Sequence, residues 1–239
     1  QIQHLPNLLD LHDEYDLRVV CDISARTAEY AAAKFHAPQA VTDYRAVLDA
    51  DVDAVLHCAG GRKTPVVVDI LEAGKHLFVE KPLCASLQEA DRIADARRAS
   101  GVVAQVGYMK LYDPAFDVAR AEIEGMAEPR FIQINHLHPS NSLHIGQFDV
   151  RRFDDVPADI AQAQGRDYAA AIKDAIGDPE PRVRRAFGTL SGSMIHDLYG
   201  LRTLFGLPER VVNAEVWRGG GAVSFTLAYA NGARCVATW

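Results

Sequence analysis

The sequence predicts an α/β fold in which a doubly wound parallel sheet is followed by an α+β domain whose sheet is largely antiparallel. Two observations carry this prediction. Short apolar segments alternate with single helical segments through the first 110 residues, which is typical of parallel strands joined by crossover helices. After Tyr108 the alternation stops, and Asn231-Gly232 near the end gives a strong hairpin signal between two apolar runs.

Four strands and the helices between them are predicted in the first part. The strands are residues 17–21, 52–58, 76–79 and 102–106. The first helix begins near Thr27. Thr64-Pro65 provides an N-cap and a first-turn proline for the second, and residues 86–89 form a capping box that starts the third. Gly74 and Gly101 end the last two of these helices.

The second part is predicted to hold two helices and three strands. The helices are 114–124 and 194–205, and the strands are 130–136, 223–229 and 233–239. We therefore expect two domains, residues 1–110 and residues 111–239.

Composition limits the partners that this chain can have. Of the 239 residues 49% are hydrophobic and 24% are charged, and the net charge is −7, which does not attract nucleic acid. No apolar run approaches the ~20 residues of a membrane span, so we expect a cytoplasmic protein with no membrane partner. The four cysteines are scattered and mostly adjoin apolar runs, which favours buried thiols over disulfides or zinc ligands.

Several motifs together resemble one family. They are Ala73-Gly74-Lys75-His76 followed by Glu80-Lys81-Pro82, then Val106-Gly107-Tyr108-Met109, Tyr112-Asp113-Pro114-Ala115-Phe116 and Ile195-His196-Asp197-Leu198. The chain thereby resembles the Gfo/Idh/MocA family of sugar and inositol dehydrogenases. The resemblance implies an NAD(P)-binding Rossmann domain, a substrate domain built on an open, mostly antiparallel sheet, a small sugar or polyol substrate, and a homo-oligomer, either a dimer or a tetramer.

The same resemblance implies the chemistry. An oxidoreductase of this kind transfers a hydride between nicotinamide and a carbinol carbon of a sugar, cyclitol or related polyol. Lys81 is expected in the active site, beside a cis Lys-Pro peptide, where it polarises the reacting oxygen, and His196 takes the proton. Two alternatives stay open: an NAD-dependent glycosidase or lyase that oxidises its substrate transiently before elimination, and a non-catalytic family member.

The expected cofactor is NAD. Asp22 ends a strand at the position where an acidic residue binds the ribose 2′-hydroxyl in this fold, and nearby Arg26 keeps NADP open because an arginine there accommodates a 2′-phosphate. The full set of expected cofactor-binding residues is Asp22, Ser24, Arg26, Cys58, Ala59, Gly60, Glu80 and Lys81.

The expected substrate-binding residues lie in four short segments. They are Lys81, Tyr108, Lys110, His136, His138, His196 and Tyr199. His136 and His138 share one face of a strand and could bind a metal together, but no obvious third ligand accompanies them, so we expect no metal and a role in a polar substrate pocket.

Three departures from the family pattern qualify these expectations. The Gly-rich strand and turn that bind pyrophosphate are missing, and we expect a chain that lacks both ends. Gly192 stands where inositol dehydrogenase-like members have an Asp, and Asp197, next to His196, should point elsewhere. The loop 60–63 replaces the usual turn after its strand, and its basic pair could form an anion site or a solvated surface turn.

Overall fold

A computed structural model of the chain describes residues 1–126 and 128–239. The helices are α1 (His4–Asp10), α2 (Ala25–Lys34), α3 (Arg45–Leu48), α4 (Thr64–Glu72), α5 (Leu87–Ser100), α6 (Pro114–Glu124), α7 (Asn141–Ile145), α8 (Ala158–Ile176), α9 (Pro181–Thr189) and α10 (Ile195–Phe205). The strands are β1 (Val19–Cys21), β2 (Gln39–Val41), β3 (Ala54–His57), β4 (His76–Val79), β5 (Ala104–Val106), β6 (Phe131–Asn135), β7 (Arg210–Trp217), β8 (Ala222–Ala228) and β9 (Arg234–Thr238).

The described residues form two compact units that are each discontinuous in sequence. The first unit contains residues 1–79, 87–105 and 139–171, and the second contains residues 80–86, 106–138 and 172–239. The predicted domain boundary at residue 110 stays a prediction. The two units do not follow this boundary, because residues 139–171 belong to the first unit and residues 80–86 to the second.

Parallel strands joined by helices build the first unit, as the sequence predicts. β1 pairs with β2, and β3, β4 and β5 form a second sheet in that order, with β3 and β4 parallel. Helix α4 packs against β4 and α5, and it buries Val67, Ile70 and Leu71 completely. Each fully buried aliphatic side chain contributes roughly 1.5–3 kcal/mol. β2 was not predicted, because its three residues give too short a pattern.

The helix starts predicted in the first unit lie within two residues of those observed, but one of the predicted N-caps is wrong. The Ser24 side chain caps α2 by accepting the Thr27 N–H at 3.0 Å. Helix α4 begins at Thr64, but Lys63 occupies the N-cap position and makes no side-chain cap, so the predicted Thr64 cap is wrong. Pro65 still favours the start, since its ring presets a helical φ.

The second unit contains a four-stranded open sheet with the order β6-β9-β8-β7. β9 pairs antiparallel with β8 and parallel with β6, and β7 pairs antiparallel with β8. The sheet is therefore mostly antiparallel, as expected. Gly232 closes the β8–β9 hairpin with φ of 87°, a conformation that favours glycine. β7 was not predicted, because nearly all of its residues are exposed and show no alternation.

One face of this sheet carries the core of the second unit. Phe225, Leu227, Cys235 and Ala237 alternate along β8 and β9 and pack with Met194, which is fully buried. Alternation of period two places all four on one face.

The cysteine expectation needs correction. All four cysteines are free thiols, but only Cys235 is buried; Cys84 is half-buried, and Cys21 and Cys58 are exposed. The two exposed cysteines lie at the carboxyl ends of β1 and β3. Their burial was predicted because each follows an apolar run of residues.

A single π-helical turn, Leu190–Met194, joins α9 to α10. Such turns displace backbone groups from the regular α-helical ladder and are frequent at functional sites. α10 then runs to Phe205 and ends at Gly206, as predicted. No helix within the described part of the chain is long and apolar enough to cross a membrane.

Candidate active site

Lys81 lies in the second unit at the start of a segment that follows β4. The Lys81-Pro82 peptide bond is cis, which confirms the expectation from the resemblance. The Lys81 ammonium donates a hydrogen bond to the carbonyl oxygen of Gly192 at 2.6 Å. Gly192 belongs to the π-helical turn, so this irregular turn supplies the acceptor that positions the lysine.

His196 is held in the first turn of α10 by a phenol. Its Nδ1 is 2.8 Å from the Tyr199 hydroxyl, which also accepts the backbone N–H of Lys110 at 3.1 Å. Tyr199 is only 6% exposed and stacks on Tyr108 with 4.5 Å between ring centroids. From the sequence, nothing visible replaced the carboxylate missing at Gly192. In the structure the Tyr199 hydroxyl, three residues after His196, is the hydrogen-bond partner of His196 Nδ1.

The electrostatics of this cluster favour a neutral imidazole. Burial lowers the pKa of His196, and the positive charges of Lys81 and Lys110 lower it further, while Asp197 acts in the opposite direction. Burial also raises the pKa of Tyr199, so its phenol stays protonated. His196 is therefore unprotonated at neutral pH.

A second imidazole lies in the same unit, immediately after β6. His136 Nδ1 is 2.5 Å from the carboxylate of Asp197, and its Nε2 is 3.3 Å from the Ser193 hydroxyl. The indole N–H of Trp239 donates to that hydroxyl at 3.2 Å. Asp197 does point away from His196, as predicted, and it supports His136 instead.

His138 completes a small aromatic wall. Its ring stacks on His136 at 5.7 Å between centroids, and both rings lie 6.2 Å from Trp239. Among the described residues no group of three or more His, Cys, Asp or Glu side chains is placed to hold a metal ion.

Most of the predicted substrate-binding residues thus take part in contacts within one unit. Lys81 contacts the turn before α10, Tyr108 and Lys110 contact Tyr199, and Tyr199 contacts His196. The sequence reasoning missed Ser193 and Trp239. The only sequence signal for Ser193 was its position three residues before His196. No sequence pattern indicated Trp239.

The predicted cofactor residues fall in different surroundings. Asp22 directly follows β1 in the first unit, and its Oδ1 accepts the Ser24 N–H at 2.9 Å. Its Oδ2 makes no hydrogen bond to another described residue, so it is available to a ribose hydroxyl, and the site fits the predicted group. Glu80 belongs to the second unit, where its carboxylate accepts the N–H of Lys81 at 3.1 Å.

Ser24 and Arg26 are already engaged by carboxylates. The Ser24 hydroxyl donates to Asp155 Oδ1 at 2.5 Å, and the Arg26 N–H donates to Asp155 Oδ2 at 3.0 Å. The Arg26 guanidinium lies 3.4 Å from Asp154. The sequence could not show these partners, since they lie about 130 residues away.

Cys58, Ala59 and Gly60 follow β3 and are exposed. Further along this loop, Arg62 donates to Glu89 at 2.6 Å and to Asp167 at 3.1 Å. Lys63 is only 5% exposed. The basic pair is therefore not a solvated surface turn, and two carboxylates already neutralise the arginine that an anion site would use.

Residues 1–108 match the family described as "Oxidoreductase family, NAD-binding Rossmann fold", Gfo/Idh/MocA. Inositol 2-dehydrogenase of Paracoccus denitrificans is 36% identical over 124 residues, which are 49% of this chain and 37% of that protein. Inositol 2-dehydrogenase/D-chiro-inositol 3-dehydrogenase of Lacticaseibacillus casei is 30% identical over 143 residues, which are 57% of this chain and 41% of that protein. These matches span about two fifths of the relatives' lengths.

Solved structures resemble the whole chain. Myo-inositol 2-dehydrogenase from Lactobacillus plantarum matches with a TM-score of 0.72 and 15% identity, over 100% of this chain and 67% of that one. An NAD-binding protein from Listeria innocua matches with a TM-score of 0.63 and 20% identity, over 98% of this chain and 62% of that one. At these identities the likeness establishes the fold.

Proposed function

We propose that this chain, whose residues 1–108 belong to the Gfo/Idh/MocA oxidoreductase family, acts in a dehydrogenase that transfers a hydride between nicotinamide and a carbinol carbon of a cyclic polyol of the inositol class. The inositol dehydrogenases among its relatives support the substrate class. The proposal depends on one observation: a neutral imidazole, His196, accompanies a lysine ammonium, Lys81, whose charge lowers the pKa of that imidazole.

On this proposal the cofactor is NAD. Asp22 holds the adenosine ribose through its carboxylate, and the loop of Cys58, Ala59 and Gly60 offers backbone groups to the cofactor. Bound nicotinamide supplies the acceptor or donor of the hydride.

Lys81 polarises the reacting oxygen. One of its three ammonium protons is committed to the Gly192 carbonyl, and that bond fixes the direction of the side chain. In this orientation the ammonium binds the substrate oxygen and stabilises the negative charge that develops on it. Fixed donors of this kind lower barriers because they need no reorganisation during the reaction.

His196 removes the hydroxyl proton. When Nδ1–H donates to Tyr199, the lone pair of Nε2 is left to act as the base. The phenol oxygen can accept this bond and the Lys110 N–H together. Tyr199 therefore selects the reactive tautomer, a task that a carboxylate performs in related sites.

His136 binds another hydroxyl of the polyol. Asp197 accepts from its Nδ1 and fixes the direction of the ring, while the His138 and Trp239 rings offer flat surfaces to the ring carbons of a cyclitol. Sites of this type combine a few polar groups with aromatic walls.

The test uses the full-length protein with a panel of inositols and sugars, and it follows NADH formation by absorbance. We expect steady NADH production with at least one cyclitol, and its loss in Lys81→Ala. Turnover of a glycoside without net NADH would instead support transient oxidation and elimination. NAD binding without turnover of any substrate would favour the non-catalytic alternative. The cytoplasmic location and homo-oligomeric state stay predictions.

A further inference from the structure

Residues 149–155, named here the strap, run along α2 within the first unit and contact it at both ends. Asp149 accepts from the Tyr30 hydroxyl at 3.1 Å and lies 3.4 Å from the Lys34 ammonium. Phe153 packs edge-on against Tyr30 and lies 4.6 Å from the Arg26 guanidinium. The strap therefore has a defined position over the helix that follows Asp22.

The end of the strap covers the first turn of α2. The two carboxylate oxygens of Asp155 accept hydrogen bonds from the Ser24 hydroxyl and from the backbone N–H of Arg26. Asp154 lies beside the Arg26 guanidinium. Ser24 is only 2% exposed, so its hydroxyl has few other partners to choose from. These three donors lie just after the strand that ends in Asp22, where the adenosine ribose binds in this fold.

We propose that Asp155 is a specificity-determining residue that excludes NADP, because its carboxylate occupies the donors that a ribose 2′-phosphate would need. This inference rests on the nicotinamide cofactor of the proposed function. Asp154 and Asp155 place two negative charges beside Arg26, and Asp22 adds a third where it binds the Ser24 N–H. A phosphate would add about 1.5 to 2 more negative charges. A neutral 2′-hydroxyl instead donates to a carboxylate and suffers no repulsion. The strap thus discriminates by unfavourable contacts with the wrong cofactor.

The experiment measures NAD and NADP binding to the full-length protein by titration calorimetry. In Asp155→Ala we expect the Kd for NADP to fall tenfold or more, because Ser24 and Arg26 become available to the phosphate, while the Kd for NAD changes less than about threefold. Asp155→Asn should shift the ratio in the same direction, since it removes the charge and keeps the shape. If the alanine variant does not fold, the Asp155→Asn variant tests the proposal by itself.

Asp149→Ala is the matched control, because it alters the strap where it contacts Tyr30 and Lys34. It should leave the NAD to NADP ratio unchanged. An unchanged ratio of the two Kd values in both Asp155 variants overturns the inference. An equal loss of affinity for NAD and NADP also overturns it, because the strap would then be purely structural.

The outcomes also separate this inference from the proposed function. If the unmodified protein binds neither cofactor, both are overturned. If it binds NAD normally and the Asp155 variants leave the Kd ratio unchanged, only the inference is overturned.

Discussion

Basic side chains near the two predicted sites, one in each unit, make different contacts. In the first unit, Arg26 and Arg62 are each matched by carboxylates: Asp154 contacts Arg26, and Glu89 and Asp167 contact Arg62. In the second unit, Lys81 binds a neutral carbonyl, and its charge acts on the imidazole of His196.

This difference separates two kinds of site. Carboxylates that contact a cation match its charge and discourage further anions, whereas a backbone carbonyl fixes the direction of a cation without neutralising it. On the proposed function, the site in the first unit binds a neutral ribose, and the site in the second unit binds an oxygen that becomes negative during the reaction. The predictions below test this contrast, from the largest expected effect to the smallest.

Removing the Lys81 ammonium should produce the largest effect. Lys81→Ala should lower kcat by about 10²–10³-fold, as is typical when one preorganised electrostatic donor is lost, with NAD affinity nearly unchanged. Steady-state kinetics on one cyclitol measures this. Lys75→Ala is the control, because Lys75 also donates to backbone carbonyls but lies in the first unit. Full turnover in Lys81→Ala would contradict the dehydrogenase mechanism.

Breaking a matched pair in the first unit should affect stability. Glu89 is 7% exposed and binds Arg62 at 2.6 Å, so Glu89→Gln leaves a partly buried guanidinium with a weaker partner. We expect the free energy of unfolding to fall by about 2–3 kcal/mol, somewhat below the range for fully buried pairs, because Arg62 is partly exposed.

Urea denaturation would measure this loss. Asp95→Asn on the same helix is the control, since the Asp95–Arg98 pair is exposed and should contribute less than about 1 kcal/mol. Equal effects of the two variants would show that burial does not distinguish these pairs.

The first unit should also lose stability in acid. Burial lowers the pKa of His57 from 6.5 to about 4, with the charge of Lys63 contributing, and its Nε2 has no hydrogen-bond partner among the described residues. The unfolded chain takes up a proton below about pH 6.5 and the folded chain does not, so stability falls from pH 6.5 towards pH 4. The loss should reach at most about 3 kcal/mol.

His57→Gln should flatten this dependence when urea denaturation is compared at several pH values between 4 and 7. His12→Gln, at an exposed position, is the control and should leave the dependence unchanged. The same slope in His57→Gln as in the unmodified protein would show that another group controls acid unfolding.

The smallest effect concerns the orientation of His196. Tyr199→Phe removes the Nδ1 partner and should lower kcat about tenfold, at the low end of the ~10–100-fold loss typical of an orienting partner, while KM changes little. Gly192 has open space where a Cβ would lie and stands about one helical turn before His196. Gly192→Asp should therefore fit and should restore part of the activity of Tyr199→Phe. No restoration in the double variant would argue against a positioning role for Tyr199.

Local patterns determined much of this protein. Alternating strands and helices predicted the parallel part of the fold, and Asn231-Gly232 predicted the β8–β9 hairpin. The family resemblance carried by the motif around Lys81 implied a lysine beside a cis peptide bond. These features depend on residues that are near one another in sequence. Turn, cap and strand preferences act over a few residues, so the sequence displays them directly.

Tertiary structure alone decided the partners of the polar side chains. Asp155 meets Ser24 across 131 residues, Asp197 meets His136 across 61, and Glu89 meets Arg62 across 27. A hydrogen bond requires its two atoms to approach to about 3 Å, and such an approach depends on how whole elements pack. The sequence therefore predicted which side chains form the candidate site, whereas packing determined the hydrogen-bond partner of each.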